Sequence, residues 1–242
     1  MEQLWFTRIL NALLAKPVVA VMALLHLHPA HIEAPITNAV AMEIFVALLL
    51  LLLGIGVGSS VSVDRPGAFQ HLVEWVWIWL GDHSEEVIGH HGRRYVRFLA
   101  TLFLFILVAN LLGLVPGFES PTQVVTIPLG LAVVAFVYYH WQGIRQLGIF
   151  RYLKQFLGPI PVMAPLMIPI EIISHLARLL SLTVRLYANM FAGELITMII
   201  VALVPVAGVL FMGLHLFVGI LQAYIFLVLA MVYLSGAVAE EH

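Results

Sequence analysis

The chain has 242 residues, 62% of them hydrophobic and 10% charged, with a formal net charge of -2. This is far more apolar surface than a soluble domain of that size can bury, so the composition points to a polytopic membrane protein. A near-neutral charge with no basic cluster over one face excludes a nucleic-acid partner, and the absence of cysteine excludes a disulfide framework and thiolate metal sites.

Residues 1–38 carry Arg8 and Lys16 ahead of the run VVAVMALL. The run has some signal-peptide character but no convincing small-x-small cleavage site follows it, so an outer, interfacial or membrane-dipping segment is expected. A membrane span needs about 20 predominantly apolar residues, and 39–61, 96–115 and 124–143 each supply them. Between the first two, residues 62–95 hold Trp75, Trp77 and Trp79 and then a charged end. That pattern suits an amphipathic helix at the lipid interface, although the alternation of tryptophans fits a strand equally well. Residues 96–145 form a membrane hairpin and 146–165 a loop. The prolines at 161, 165 and 169 then predict a bend leading into the next helix.

From 166 to 204, and again from 207 to 238, the chain is apolar with one strong breaker between, the VPVAG around Pro205. As helices these stretches are about 58 and about 48 Å long, well beyond a hydrocarbon core of about 30 Å. They must tilt steeply or lie partly in the membrane plane, and residues 166–242 therefore read as a long tilted hairpin. Seven Arg and Lys residues in the segments 62–95 and 146–165 and at the helix ends beside them, against Arg8 and Lys16 in the outer ones, orient the N-terminus outside and the C-terminus in the cytoplasm. The expected fold is an all-α polytopic membrane protein with about five membrane helices, the last two forming the hairpin, plus an interfacial amphipathic helix.

At 100 degrees per residue, Glu171, His175, Arg178, Arg185 and Asn189 fall within about 40 degrees of one direction on the first long helix. An ionisable residue at membrane depth costs several kcal/mol and is by default a functional hypothesis. Glu171 and Arg178 lie near the inner end, where snorkelling explains them as well as function does. Arg185 lies near mid-depth, where it does not. Folding the two long helices about Pro205 sets Glu194 opposite His215 and Arg185 near Gln222. Glu with His is a proton-exchanging couple, and Gln222 can hold the Arg185 guanidinium without neutralising it. Glu194 lies about 180 degrees around the helix from Arg185, so either the helices wrap or one contact runs through water. Arginine stays charged and cannot relay protons. With Glu194 about 13 Å along the helix on one side and Glu171 about 21 Å on the other, two aqueous half-paths that do not join are expected.

The run RLYANMFAGELI, the later GLHLFVGILQAYIFLVLAMVYLSGA, the terminal EEH and the segment ANLLGLVPGFESPT resemble subunit a of the F-type ATP synthase, from about residue 96 onward. The N-terminal 95 residues are similar only in layout. The resemblance implies a stator subunit of a bacterial inner membrane, beside a rotating ring of c subunits and held by peripheral-stalk b subunits. The family's indispensable arginine falls on Arg185, as a charge barrier. The outer half-channel falls on Glu194, His215 and Asn110, the inner one on Glu171, Ser181 and Asn189, and the arginine's partner on Gln222. Asn110 has a plainer reading as a helix-bridging hydrogen bond. Gly113 stands where some bacterial members carry an acid. The ring carboxylate selects proton or sodium, and Glu194 with His215 favours protons.

The rival reading is a self-contained cation carrier or channel with Glu194 and His215 as metal ligands, but two ligands make a poor divalent site. A scaffold protein leaves the buried arginine unexplained. His26, His28 and His31, and the set His83, Glu85, Glu86, His90 and His91, are better read as interfacial polar residues than as metal sites. Gly54, Gly56 and Gly58 are expected where helices approach closely. Neither a cofactor nor a catalytic nucleophile is implied, and ATP chemistry belongs to other subunits.

Overall fold

The computed structural model describes residues 4–24, 26, 34–62, 67–115, 117–155 and 164–239. They form α1 (Trp5–Leu24), α2 (Asn38–Ser60), α3 (Ala68–Ile88), α4 (Val96–Leu112), α5 (Thr126–Leu147), α6 (Ile149–Gln155), α7 (Ala164–Leu203) and α8 (Pro205–Val238), with no strand among the described residues. Residues 75, 77 and 79 lie within α3, which overturns the strand alternative for the tryptophans. The period-two pattern was an accident of three residues: Trp75 and Trp77 are exposed, while Trp79 packs against Phe103 of α4 and Tyr224 of α8.

The 40 residues of α7 and 34 of α8 make helices of about 60 and 51 Å. They turn back on each other at Val204, and Pro205 opens α8 where its missing N–H costs nothing. Close approach at the turn depends on Gly208, where a Cβ would stand 2.5 Å from Val201 Cγ2. Further along, the His215 ring lies against Gly193, and Asn189 meets Gln222, which is the register that folding about Pro205 predicts. Pro165 lies in the first turn of α7 and Pro169 inside it, where it removes one backbone hydrogen bond; residue 161 lies outside the described residues.

The core runs along this hairpin. Leu182, Leu186 and Met190 of α7 and Phe226, Leu227, Met231 and Leu234 of α8 are buried with Leu99 and Ile106 of α4 and Ala132 and Ala135 of α5. Gly143 of α5 fits between Tyr152 of α6 and the Ala237 carbonyl of α8, with a Cβ there 2.7 Å from that backbone oxygen. Gly143→Ala is expected to destabilise the protein by about 1–3 kcal/mol through overpacking. A lower thermal midpoint in detergent checks this; an unchanged midpoint shows that the α5, α6 and α8 ends do not meet there.

Two points go beyond or against expectation. Among the described residues the five expected spans are joined by a sixth helix long and apolar enough to cross a membrane, α1. Its contacts nonetheless cluster at one end of α2: Leu4 N–H bonds Asn38, Asn11 exchanges two 3.0 Å hydrogen bonds with the Ile36 backbone, and Phe6 packs on Phe45. The second concerns Gly54, Gly56 and Gly58, on which no other helix of the described chain packs: nothing lies within 4 Å of a Cβ built at any of them. The packed stretch of α2 runs from its start to Leu50, with Met42 and Val46 buried against Ala109 and Leu112 of α4.

Candidate functional site

The polar stripe of α7 resolves into three groups along the helix. Nearest the Ala164 end, Glu171 Oε1 lies 3.4 Å from His175 Nε2, and His175 Nδ1 shares a 3.0 Å hydrogen bond with the Tyr139 hydroxyl. The His140 ring stands 4.7 Å from that of His175, and its Nδ1 is 2.5 Å from the hydroxyl of Tyr152. Burial pushes the Tyr152 hydroxyl, on α6, up to about 12. Arg178 sets its guanidinium over the Tyr233 ring, 5.3 Å from the centroid. Tyr139, His140, Tyr152 and Tyr233 were not singled out in the sequence, because aromatic residues within apolar helices read as core.

One to three turns on, half-buried Arg185 donates from Nη2 to Ser181 Oγ at 3.3 Å. Among the described residues no carboxylate comes within ion-pair distance of it. Gln222 does not hold the arginine as expected; its Oε1 accepts a 2.7 Å hydrogen bond from Asn189 Nδ2. The hairpin register brings Asn189, one turn beyond Arg185, to that glutamine. Gln222 is almost fully buried, and its Nε2 has no partner among the described residues.

Toward the Pro205 end, Glu194 and Thr197 of α7, Met212 and His215 of α8, and Gly113 and Phe118 near the α4–α5 connection line a cavity of about 230 Å³. Glu194 and His215 share it without forming an ion pair. Buried His215 leaves Nε2 without a hydrogen-bond partner among the described residues. With the Gln123 amide nitrogen turned to the carboxylate, as the surrounding acceptors demand, it donates to both oxygens of Glu194, one at 3.0 Å. Glu119 lies within electrostatic reach of Glu194 and accepts from Asn38 Nδ2 at 3.4 Å.

Beneath the cavity, Asn110 Nδ2 donates to the Gly219 carbonyl at 3.0 Å and Asn110 Oδ1 accepts from Thr122 Oγ1 at 2.7 Å. Ser120 joins this buried network through Thr122 and the Ala109 carbonyl. Asn110 thus bridges α4, α8 and the connecting loop, its plainer reading. At Gly113 a Cβ would stand 2.8 Å from Ser120 Cβ, so an acid does not fit there. Glu194 and Glu119 are among the carboxylates on this side.

Of the histidine and acid sets weighed as metal ligands, His28 and His31 lie outside the described residues. His83 contacts Glu86 at 3.4 Å and the Tyr224 hydroxyl at 3.1 Å, while Glu85 bonds Arg93.

A sequence profile of the ATP synthase A chain family matches residues 10–235. The chain belongs to the ATP synthase A chain family. It is 51% identical over 242 residues to ATP synthase subunit a of Koribacter versatilis (strain Ellin345), covering 100% of this chain and 99% of the relative. To ATP synthase subunit a of Solibacter usitatus (strain Ellin6076) it is 51% identical over 209 residues, 86% of this chain and 90% of that one. A third relative, ATP synthase subunit a of Aquifex aeolicus (strain VF5), is 41% identical over 189 residues, 74% of this chain and 87% of that one. The likeness to the A chain family therefore extends well into the first 95 residues, which the sequence had matched only in layout. Long apolar helices change residues freely within a polarity class, so a motif search sees little there.

Proposed function

We propose that this chain is the stator of a rotary proton path, with two offset half-channels separated by Arg185. The observation that carries the reading is a half-buried arginine with no carboxylate partner among the described residues, set between two polar clusters on one over-long helix. Glu194 lies about 13 Å along α7 toward Pro205 and Glu171 about 21 Å toward Ala164. A guanidinium keeps its charge at any physiological pH, so it repels protons and favours an ionised carboxylate nearby. Glu194, His215 and Asn110 belong to the outer half-channel and Glu171, Ser181 and Asn189 to the inner one, with Gln222 holding Asn189 one turn from the arginine.

The cavity of about 230 Å³ has room for several waters at about 30 Å³ each, which supports a water-linked Glu194–His215 couple over a direct ion pair. A carboxylate on a ring of c subunits would lose its proton beside Arg185 into one half-channel. It would regain one from the other half-channel after nearly a full turn. Each charge crossing 100 mV yields about 2.3 kcal/mol, so several crossings combine through rotation to drive one ATP. The chain contributes no ATP chemistry of its own; peripheral-stalk b subunits hold it still, in a bacterial inner membrane with the N-terminus outside.

The test is reconstitution of the full chain alone and of the assembled complex into vesicles, with proton flux measured under an imposed potential. A stator conducts only with its ring. Conduction by the chain alone, at the rate of the complex, replaces this reading with a self-contained carrier.

A further inference from the structure

At the end of the bundle where α4 begins and α5 finishes, Arg94 and Arg145 line one cavity of about 360 Å³ with Tyr95, Tyr138, Gln142 and Gln146. Neither arginine has a carboxylate within ion-pair distance among the described residues, whereas adjacent Arg93 bonds Asp82 at 2.9 Å and Glu85 at 3.2 Å. Arg94 is fixed in place: its guanidinium lies 4.8 Å from the Tyr95 ring centroid and donates to Gln146 Oε1, which also accepts from the Tyr95 hydroxyl at 3.0 Å. The wall beside them is rigid, since the Tyr138 and Phe98 rings stack with centroids 3.6 Å apart. Two guanidiniums that cannot deprotonate share a cavity whose other polar groups are neutral. Their fork geometry suits the oxygens of a phosphate group.

The source of that phosphate follows from α5. Val134, Val137 and Trp141 are 54%, 59% and 62% exposed and precede Arg145 at spacings of three and four, forming one outward stripe. Read along the helix, the stripe passes from aliphatic to tryptophan to arginine, the order of acyl chain, interface and headgroup in a bilayer. A free anion would have no use for the aliphatic part. We infer that Arg94 and Arg145 bind the phosphate of an anionic phospholipid whose acyl chains lie along the outward face of α5.

The test uses the full chain purified in detergent and offered equimolar phosphatidylglycerol and phosphatidylcholine, with adducts counted by native mass spectrometry. Phosphatidylglycerol adducts on the wild type are expected to exceed phosphatidylcholine adducts by about tenfold, falling to near parity in the Arg94→Gln, Arg145→Gln double variant. The Arg151→Gln, Lys154→Gln double variant removes the same charge from neighbouring α6 without touching the cavity, and is expected to keep the preference. Equal preference in the cavity variant, or equal loss in the α6 variant, overturns the site. Abolition of the preference by millimolar inorganic phosphate overturns the lipid assignment in favour of a free anion.

Discussion

Arg185→Ala abolishes ATP-driven proton pumping by the assembled complex, with pumping reduced at least about a hundredfold and the complex intact. The size of the effect follows from Coulomb's law. A guanidinium about 4 Å from a ring carboxylate favours its ionised form by about 4 kcal/mol at an effective dielectric of about 20, or roughly a thousandfold in the protonation equilibrium. Without that charge, a passing carboxylate keeps its proton, and nothing prevents the ring from carrying the same proton backward. Folding is spared because Arg185 is half-exposed and, among the described residues, its one hydrogen bond goes to Ser181, itself exposed, so truncation orphans no buried group there. Passive proton leak through the complex is unchanged or larger. Normal coupled pumping in the variant, measured by dye quenching in vesicles, makes Arg185 structural.

Glu194→Gln is the second large effect. The substitution keeps the shape of the side chain and its reach to Gln123 but removes the titratable group that shares the cavity with His215. A positioned acid or base contributes about 10²–10⁴-fold to proton transfer, so coupled pumping and ATP synthesis are expected to fall by at least about tenfold even if water carries part of the flow. Glu119→Gln, altering another carboxylate near Glu194, has a smaller effect, because Gln123 still holds Glu194 and His215 still shares its cavity. Wild-type rates in Glu194→Gln place the path elsewhere.

The long hairpin was legible because its signals are one-dimensional: helix length, a single Pro205 and a stripe of polar residues at helical spacing. Its register followed from the same proline. Which residue meets Gln222 was not legible, since Arg185 and Asn189 occupy one stripe a single turn apart and periodicity cannot separate them. Gln123 and Glu119 reach Glu194 only because the α4–α5 connection folds over α7, a contact across some 70 residues with no local pattern. The Tyr139, His140 and Tyr152 group was hidden in the same way, assembled from α5, α6 and α7 out of residues that each suit an apolar core. The glycines of α2 mark the opposite failure: small residues at helical spacing suggest a packed face, and here no helix of the described chain arrives.

The claim that the two half-channels open to opposite sides is tested most directly by thiol accessibility, because the chain has no cysteine of its own. Single Thr197→Cys and Ser181→Cys variants, in oriented vesicles holding the assembled complex, are treated from each side with a membrane-impermeant maleimide. Two offset half-channels predict that Thr197→Cys reacts only from the outer side and Ser181→Cys only from the cytoplasmic side. Labelling of both from one side, or of either from both sides, contradicts two half-channels divided at Arg185.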